Sequence, residues 1–115
     1  MLASKDYPYL QVSVTVGNFN SPFRALLDTG FDGHIVLPQA LSNQLGNPDF
    51  LVKTRFADGG EREFPGYRGD VEVVGLGVVY LARLTLLGDE CLLGQGIIKR
   101  LKVTLDHGTQ IIVEP

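Results

Sequence analysis

The chain holds one cysteine and two histidines among its 115 residues, and its net charge of −3 leans to neither extreme. The lone thiol, Cys91, has no partner for an intrachain disulfide, which fits a reducing, cytoplasmic setting. It lies in an apolar run, Cys91-Leu92-Leu93, where a thiol serves as a small core residue rather than a nucleophile. His34 and His107 stand apart from Cys91 and from each other, so no metal-ligand cluster is spelled out and no cofactor is expected. No block of like charge is present, which argues against nucleic acid or an anionic membrane surface as partner. The opening residues MLASKDYPYL lack the basic-then-apolar order of a signal peptide. No apolar run approaches the roughly 18 residues of a membrane-spanning helix.

Glycine, by contrast, is plentiful: fourteen residues, against a usual share of roughly 7%. The glycines recur between β-branched and apolar runs, as turn punctuation does between short strands. Tyr9 to Val16 alternates cleanly, with Leu10, Val12, Val14 and Val16 on one face, and reads as a half-buried strand. Residues 17–22 read as a turn, followed by a strand from Phe23 to Leu27 and a short buried strand from His34 to Leu37. Pro38 to Leu45, closed by Gly46, and Gly94 to Leu101 read as two short helices. Asp58-Gly59-Gly60 between Phe56 and Phe64 marks a hairpin, Val71 to Leu87 extends the sheet, and residues 102–113 close the chain as a second hairpin. The expected architecture is one mostly-β domain over residues 1–115.

The chemistry-bearing stretch is Ala25-Leu26-Leu27-Asp28-Thr29-Gly30-Phe31-Asp32-Gly33, an apolar strand that runs straight into a carboxylate. The bland reading is an Asx-type turn in which Asp28 caps backbone amides. Its surroundings point further: an apolar strand arrives, another leaves, a glycine-tipped hairpin follows, and Cys91-Leu92-Leu93-Gly94 leads into an apolar helix. In this order the chain, from about Tyr9 to Val113, resembles the retropepsin-like aspartic proteases, most closely their small prokaryotic branch. The resemblance implies a closed β-barrel of the acid-protease fold with one or two short helices.

It also implies an aspartic endopeptidase acting on polypeptide. Hydrolysing an amide without a metal or a covalent nucleophile requires a water held between a base and an acid. Two adjacent carboxylates provide both because they share one proton, and the aspartic proteases are the established case. This sequence has a single Asp-Thr-Gly; Asp70, Asp89 and Asp106 lack its setting. The second carboxylate is therefore expected from a homodimer, with Asp28 of each chain meeting across a two-fold axis.

On the resemblance, Asp28, Thr29 and Gly30 form the catalytic loop, with the Thr29 hydroxyl bonding across the dimer and Gly30 admitting the substrate backbone. Phe31 and Asp32 are assigned to substrate binding, Asp32 alternatively being a solvated turn residue. Ala57, Asp58, Gly59 and Gly60 would tip a flap over the substrate, with positive φ at both glycines. Leu92, Leu93 and Gly94 would support the loop from beneath. Three features depart from the viral pattern: Phe31 in place of a small residue, the charge of Asp58 on the flap, and a C-terminal hairpin that extends past the helix. Two other readings are a retropepsin-like module that binds peptides without cleaving them, and a generic barrel in which the triplet is accidental.

Overall fold

The computed structural model describes all 115 residues. Strand β1 (Leu2–Ser4) is followed by β2 (Tyr9–Val16) and β3 (Phe19–Leu27), joined by the tight turn Gly17-Asn18. Next come β4 (Ile35–Leu37), a 3-10 turn at Gln39–Leu41, and helix α1 (Ser42–Leu45). The hairpin of β5 (Phe50–Arg55) and β6 (Glu61–Val73) leads to β7 (Val79–Leu86) and β8 (Cys91–Leu93). Helix α2 (Gln95–Ile98) precedes the terminal hairpin of β9 (Lys102–Asp106) and β10 (Gln110–Glu114).

Six strands form a closed ring in the order β2-β3-β8-β4-β7-β6, sealed where β6 returns to pair with β2. Closure removes the ring's free edges and lets each strand present one face inward. The alternation read in β2 is obeyed: Leu10, Val12 and Val14 are fully buried, facing Val71, Leu84 and Leu93 of other ring strands. No polar or charged residue is among the buried ones. Cys91 belongs to this core, and burial pushes its thiol up to about 12, so it carries no thiolate at neutral pH. Outside the ring, β1 pairs with β10 and β10 with β9 in a separate three-stranded sheet.

Closure depends on β6, whose 13 residues serve three neighbours in turn: β5, β7 and β2. Where β6 leaves β5 for β2, a Cβ on Gly69 would run into the Thr15 carbonyl oxygen and press on Leu84 and Val16. Only a hydrogen side chain allows that approach.

Several boundaries differ from the sequence reading. Residues 19–22 are strand rather than turn, because β3 has a neighbour on one side only until Ala25, where β8 joins. On that open side the missing N–H of Pro22 costs no ladder bond. The helix expected over 38–45 splits into the 3-10 turn and α1, and the one expected over 94–101 shrinks to α2. Ile97 is fully buried, whereas Ile98 and Leu101 are half-buried. Strand β1 was not foreseen; three residues are too few to show a period.

Gly69→Ala is expected to destabilise the fold by about 2–3 kcal/mol through overpacking at this crossing. Equilibrium urea unfolding measures it; a loss under about 0.5 kcal/mol would show that β6 and β2 can part without penalty.

Candidate active site

Strand β3 ends at Leu27 and hands the chain to a loop, residues 28–34, that must cross to β4. Strand β8 lies between the two. It runs parallel to β3 through Leu27↔Leu93 and antiparallel to β4 through Ile35↔Leu93. The loop therefore arches over the C-terminal end of β8, and Asp28 sits at the start of the arch. Its backbone N–H donates to the Leu93 carbonyl at 2.9 Å, continuing the β3–β8 ladder by one rung.

The residues after β8 hold the arch from below. Gly94 N–H donates to the His34 carbonyl at 2.9 Å, Gln95 N–H to that of Phe31 at 2.7 Å, and Gly96 N–H to that of Gly33 at 2.9 Å. The Gln95 side chain adds a fourth tie, donating from Nε2 to the Thr29 carbonyl at 3.0 Å. Contact is so close that a Cβ on Gly94 would overlap the Gly33 carbonyl and the Phe31 ring, and one on Gly96 would overlap the His34 ring.

Asp28 itself is half-buried. Its Oδ1 accepts the Gly30 N–H at 3.0 Å, which is the Asx-type turn of the bland reading, and its Oδ2 makes no hydrogen bond in the chain. One oxygen is thus fixed and the other is free to act on a ligand. Thr29 and Gly30 are exposed, and the Thr29 hydroxyl has no partner within the chain. Gly30 has an ordinary φ, and a Cβ there would touch the Asp28 Oδ1 at 3.4 Å without displacing backbone. The fold itself therefore does not require its lack of a side chain.

Phe31 turns back rather than outward. Its ring covers the backbone of Gly33 and Gly94, so it plugs the arch as well as bordering the site. Asp32 is exposed and makes neither a hydrogen bond nor an ion pair in the chain; Gln95 braces the loop instead. Leu93 is fully buried and Leu92 half-buried in β8, and with Gly94 they lie under the loop as expected. Gln95, Gly33 and Gly96 were missed in the sequence. The available signal was the alternation Gly94-Gln95-Gly96 directly after an apolar strand, where small residues mark a close approach.

The β5–β6 hairpin carries Ala57, Asp58, Gly59 and Gly60 at its exposed tip. Phe56 N–H donates to the Gly60 carbonyl and Gly59 N–H to that of Phe56, both at 2.9 Å. Asp58 Oδ1 accepts the Gly60 N–H at 2.8 Å, so its charge is turned onto its own turn. Only Gly59 has positive φ, at 84°; Gly60 does not, contrary to expectation, because the Asp58 side chain closes the turn there. No hydrogen bond joins this tip to residues 28–34.

Three solved structures share this architecture. A retropepsin-like aspartic protease from Rickettsia conorii matches with a TM-score of 0.64 and 22% identity, over 98% of this chain and 88% of its own. The fold is retropepsin-like. The simian foamy virus protease matches at a TM-score of 0.57 and 18% identity, covering 79% of this chain and 91% of its own. The EIAV protease, in complex with the inhibitor HBY-793, gives 0.55 and 22%, covering 81% and 86%. No family model matches the chain, and no curated protein does.

His34 flanks this retropepsin-like loop. Its Nδ1 accepts the Arg83 N–H at 2.9 Å, which places the proton of the neutral ring on Nε2. Burial first, and then the charges of Arg100, Arg83 and Lys99, hold its pKa below the ordinary 6.5.

Gly94→Ala is expected to cost about 3 kcal/mol in urea unfolding, whereas Gly30→Ala stays within about 0.5 kcal/mol of wild type. Equal losses would mean that the loop is not seated as described. For His34 the unfolded chain takes up a proton at a pH where the folded chain does not. Stability is therefore complete above about pH 6.5 and lost on acidification below it. Melting temperature should fall between pH 7 and 5, and His34→Asn should flatten that fall; an unchanged slope would remove His34 as its source.

Proposed function

We propose that the chain is one half of a homodimeric aspartic endopeptidase, with Asp28 of each subunit holding the attacking water. One observation carries this reading: Asp28, half-buried at the start of a braced loop, is held by Leu93 and Gly30 with its Oδ2 free. The protease neighbours support the same direction. Two concavities of the single chain, of about 470 and 520 Å3, lie away from Asp28. The Thr29 hydroxyl is available for the partner subunit, and β1 and β9 each leave one sheet edge unpaired. Because β1 pairs with its own chain's β10, the subunits do not need to interleave their chain ends.

In the reaction the ionised carboxylate takes a proton from water as the oxygen adds to the scissile carbonyl carbon. The protonated partner carboxyl gives its proton to the carbonyl oxygen. Collapse of the resulting diol breaks the C–N bond, and a proton passes to the leaving nitrogen. Donation of the Gly30 N–H to Oδ1 orients Asp28 so that Oδ2 faces the water. Substrate lies extended beneath the β5–β6 hairpins, which shield the reaction from bulk water.

The reading is tested with denatured casein at acidic to neutral pH. Wild type is expected to cleave it, and Asp28→Asn to lose at least a hundredfold in rate while melting at the wild-type temperature. Cleavage by Asp28→Asn at the wild-type rate would refute the mechanism. Sedimentation should show dimer under assay conditions; full activity from a strict monomer would leave Asp28 without its partner.

A further inference from the structure

The outer wall of the barrel carries a basic groove that the Asp28 loop does not use. It lies along β6 and β7, and its side-chain lining includes His34, Arg68, Asp70, Leu81, Arg83 and Arg100. Arg68 and Arg83 are direct cross-strand partners, a placement that like charges disfavour. None of the three guanidinium groups has an ion-pair partner, since the chain's ion pairs are Arg24–Asp6, Arg55–Glu61 and His107–Asp106. Arg68 and Arg83 both stand over the Phe50 ring, 5.5 and 5.8 Å from its centroid. Arg100 is tethered by donating to the Leu81 carbonyl at 3.2 Å. His34, with its Nδ1 occupied, offers a donor at Nε2. Asp70 is the single acidic residue of the lining.

Three arginines against the one carboxylate of the lining, with Asp49 reaching only the Arg68 backbone N–H, leave a net positive patch on a chain of net charge −3. On the same outward face of β7, Leu81 and Val79 are 76% and 57% exposed. We propose that this groove docks an acidic polypeptide segment, with Asp or Glu carboxylates on Arg68, Arg83 and Arg100 and an apolar side chain on Leu81 and Val79. Guanidinium forks match carboxylates in bidentate geometry. The aromatic rings beside these arginines, Phe50 and Tyr80, are each already engaged by a guanidinium, which disfavours a stacked base as the occupant. Because β7 lies between β4 and β6, the segment binds through side chains and does not add a strand. The docking surface is independent of whether Asp28 is catalytic.

Fluorescence anisotropy tests this with a labelled octapeptide of alternating glutamate and leucine. The protein carries Asp28→Asn, so the probe survives whether or not the parent chain is a peptidase. Saturable binding is expected, weakening as salt is raised. Arg68→Ala and Arg83→Ala should each weaken it about threefold to tenfold. Both substitutions relieve a like-charge contact, so melting at or above the parent temperature separates lost docking from lost folding. A lysine-and-leucine peptide should not bind. No binding of the acidic peptide, binding indifferent to both arginines, or equal binding of the basic peptide would each overturn the proposal. Saturation by inorganic phosphate without peptide binding would overturn it in favour of a small-oxyanion site. Self-association lost in Arg83→Ala without peptide binding would do so in favour of a second copy.

Discussion

The backbone of Gly94 lies so close to the Gly33 carbonyl and the Phe31 ring that no side chain fits between them. That contact, with the hydrogen bonds from Gly94, Gln95 and Gly96, sets the height of the loop above β8. The position of Asp28 follows from it. The carboxylate rides on a backbone anchored on one side by the β3–β8 ladder and on the other by α2. A loop tied only at its ends would sample many carboxylate orientations and would lose the entropic advantage of a preset geometry.

This seat needs a stiff foundation, and the closed ring supplies one. Strand β8 has only three residues, yet it pairs on both sides and buries Leu93 completely. Pairing on both sides is what holds so short a strand in the ring. The core excludes charge, and no buried side-chain polar atom lacks a partner. Asp28 therefore does not disturb the interior. It stands at the rim, half-buried, with one oxygen already satisfied by Gly30.

How far the sequence disclosed this depended on whether the signal was local. The alternation in Tyr9–Val16, the Asp58-Gly59-Gly60 turn and the apolar approach to Asp28 are local patterns, and they placed β2, the hairpin and the loop. Strand β3 was started four residues late because Asn20-Ser21-Pro22 carries turn chemistry, and only the absent neighbour strand explains why it remains extended. The reach of β6 back to Glu61 was not read, since Gly66 and Gly69 interrupt its apolar pattern and their close contacts with Phe50 and Thr15 are not local. Gln95 was invisible for a similar reason. Its partner carbonyl on Thr29 is 66 residues away, and nothing in a solvent-compatible amide announces such a contact. The triplet could single out the carboxylate, but not what holds it still.

His34 brings two requirements of the molecule into opposition. The proposed chemistry needs one carboxyl of the dyad protonated, which favours acid. His34 must remain neutral to accept the Arg83 N–H, which acid opposes. Its carbonyl meanwhile receives the Gly94 N–H beneath the Asp28 loop. Protonation at Nδ1 would break the tie to β7 and place a further charge near Arg83, Lys99 and Arg100. That charge arises in the residue that joins the outer wall to the loop's footing. If the proposed dyad operates, it and this histidine would bound the working pH from opposite sides, with the arginines that line the groove holding His34 neutral on the acid side. An acidic segment docked on those arginines would offset part of their charge and make His34 easier to protonate, so the groove and the loop footing share one electrostatic account.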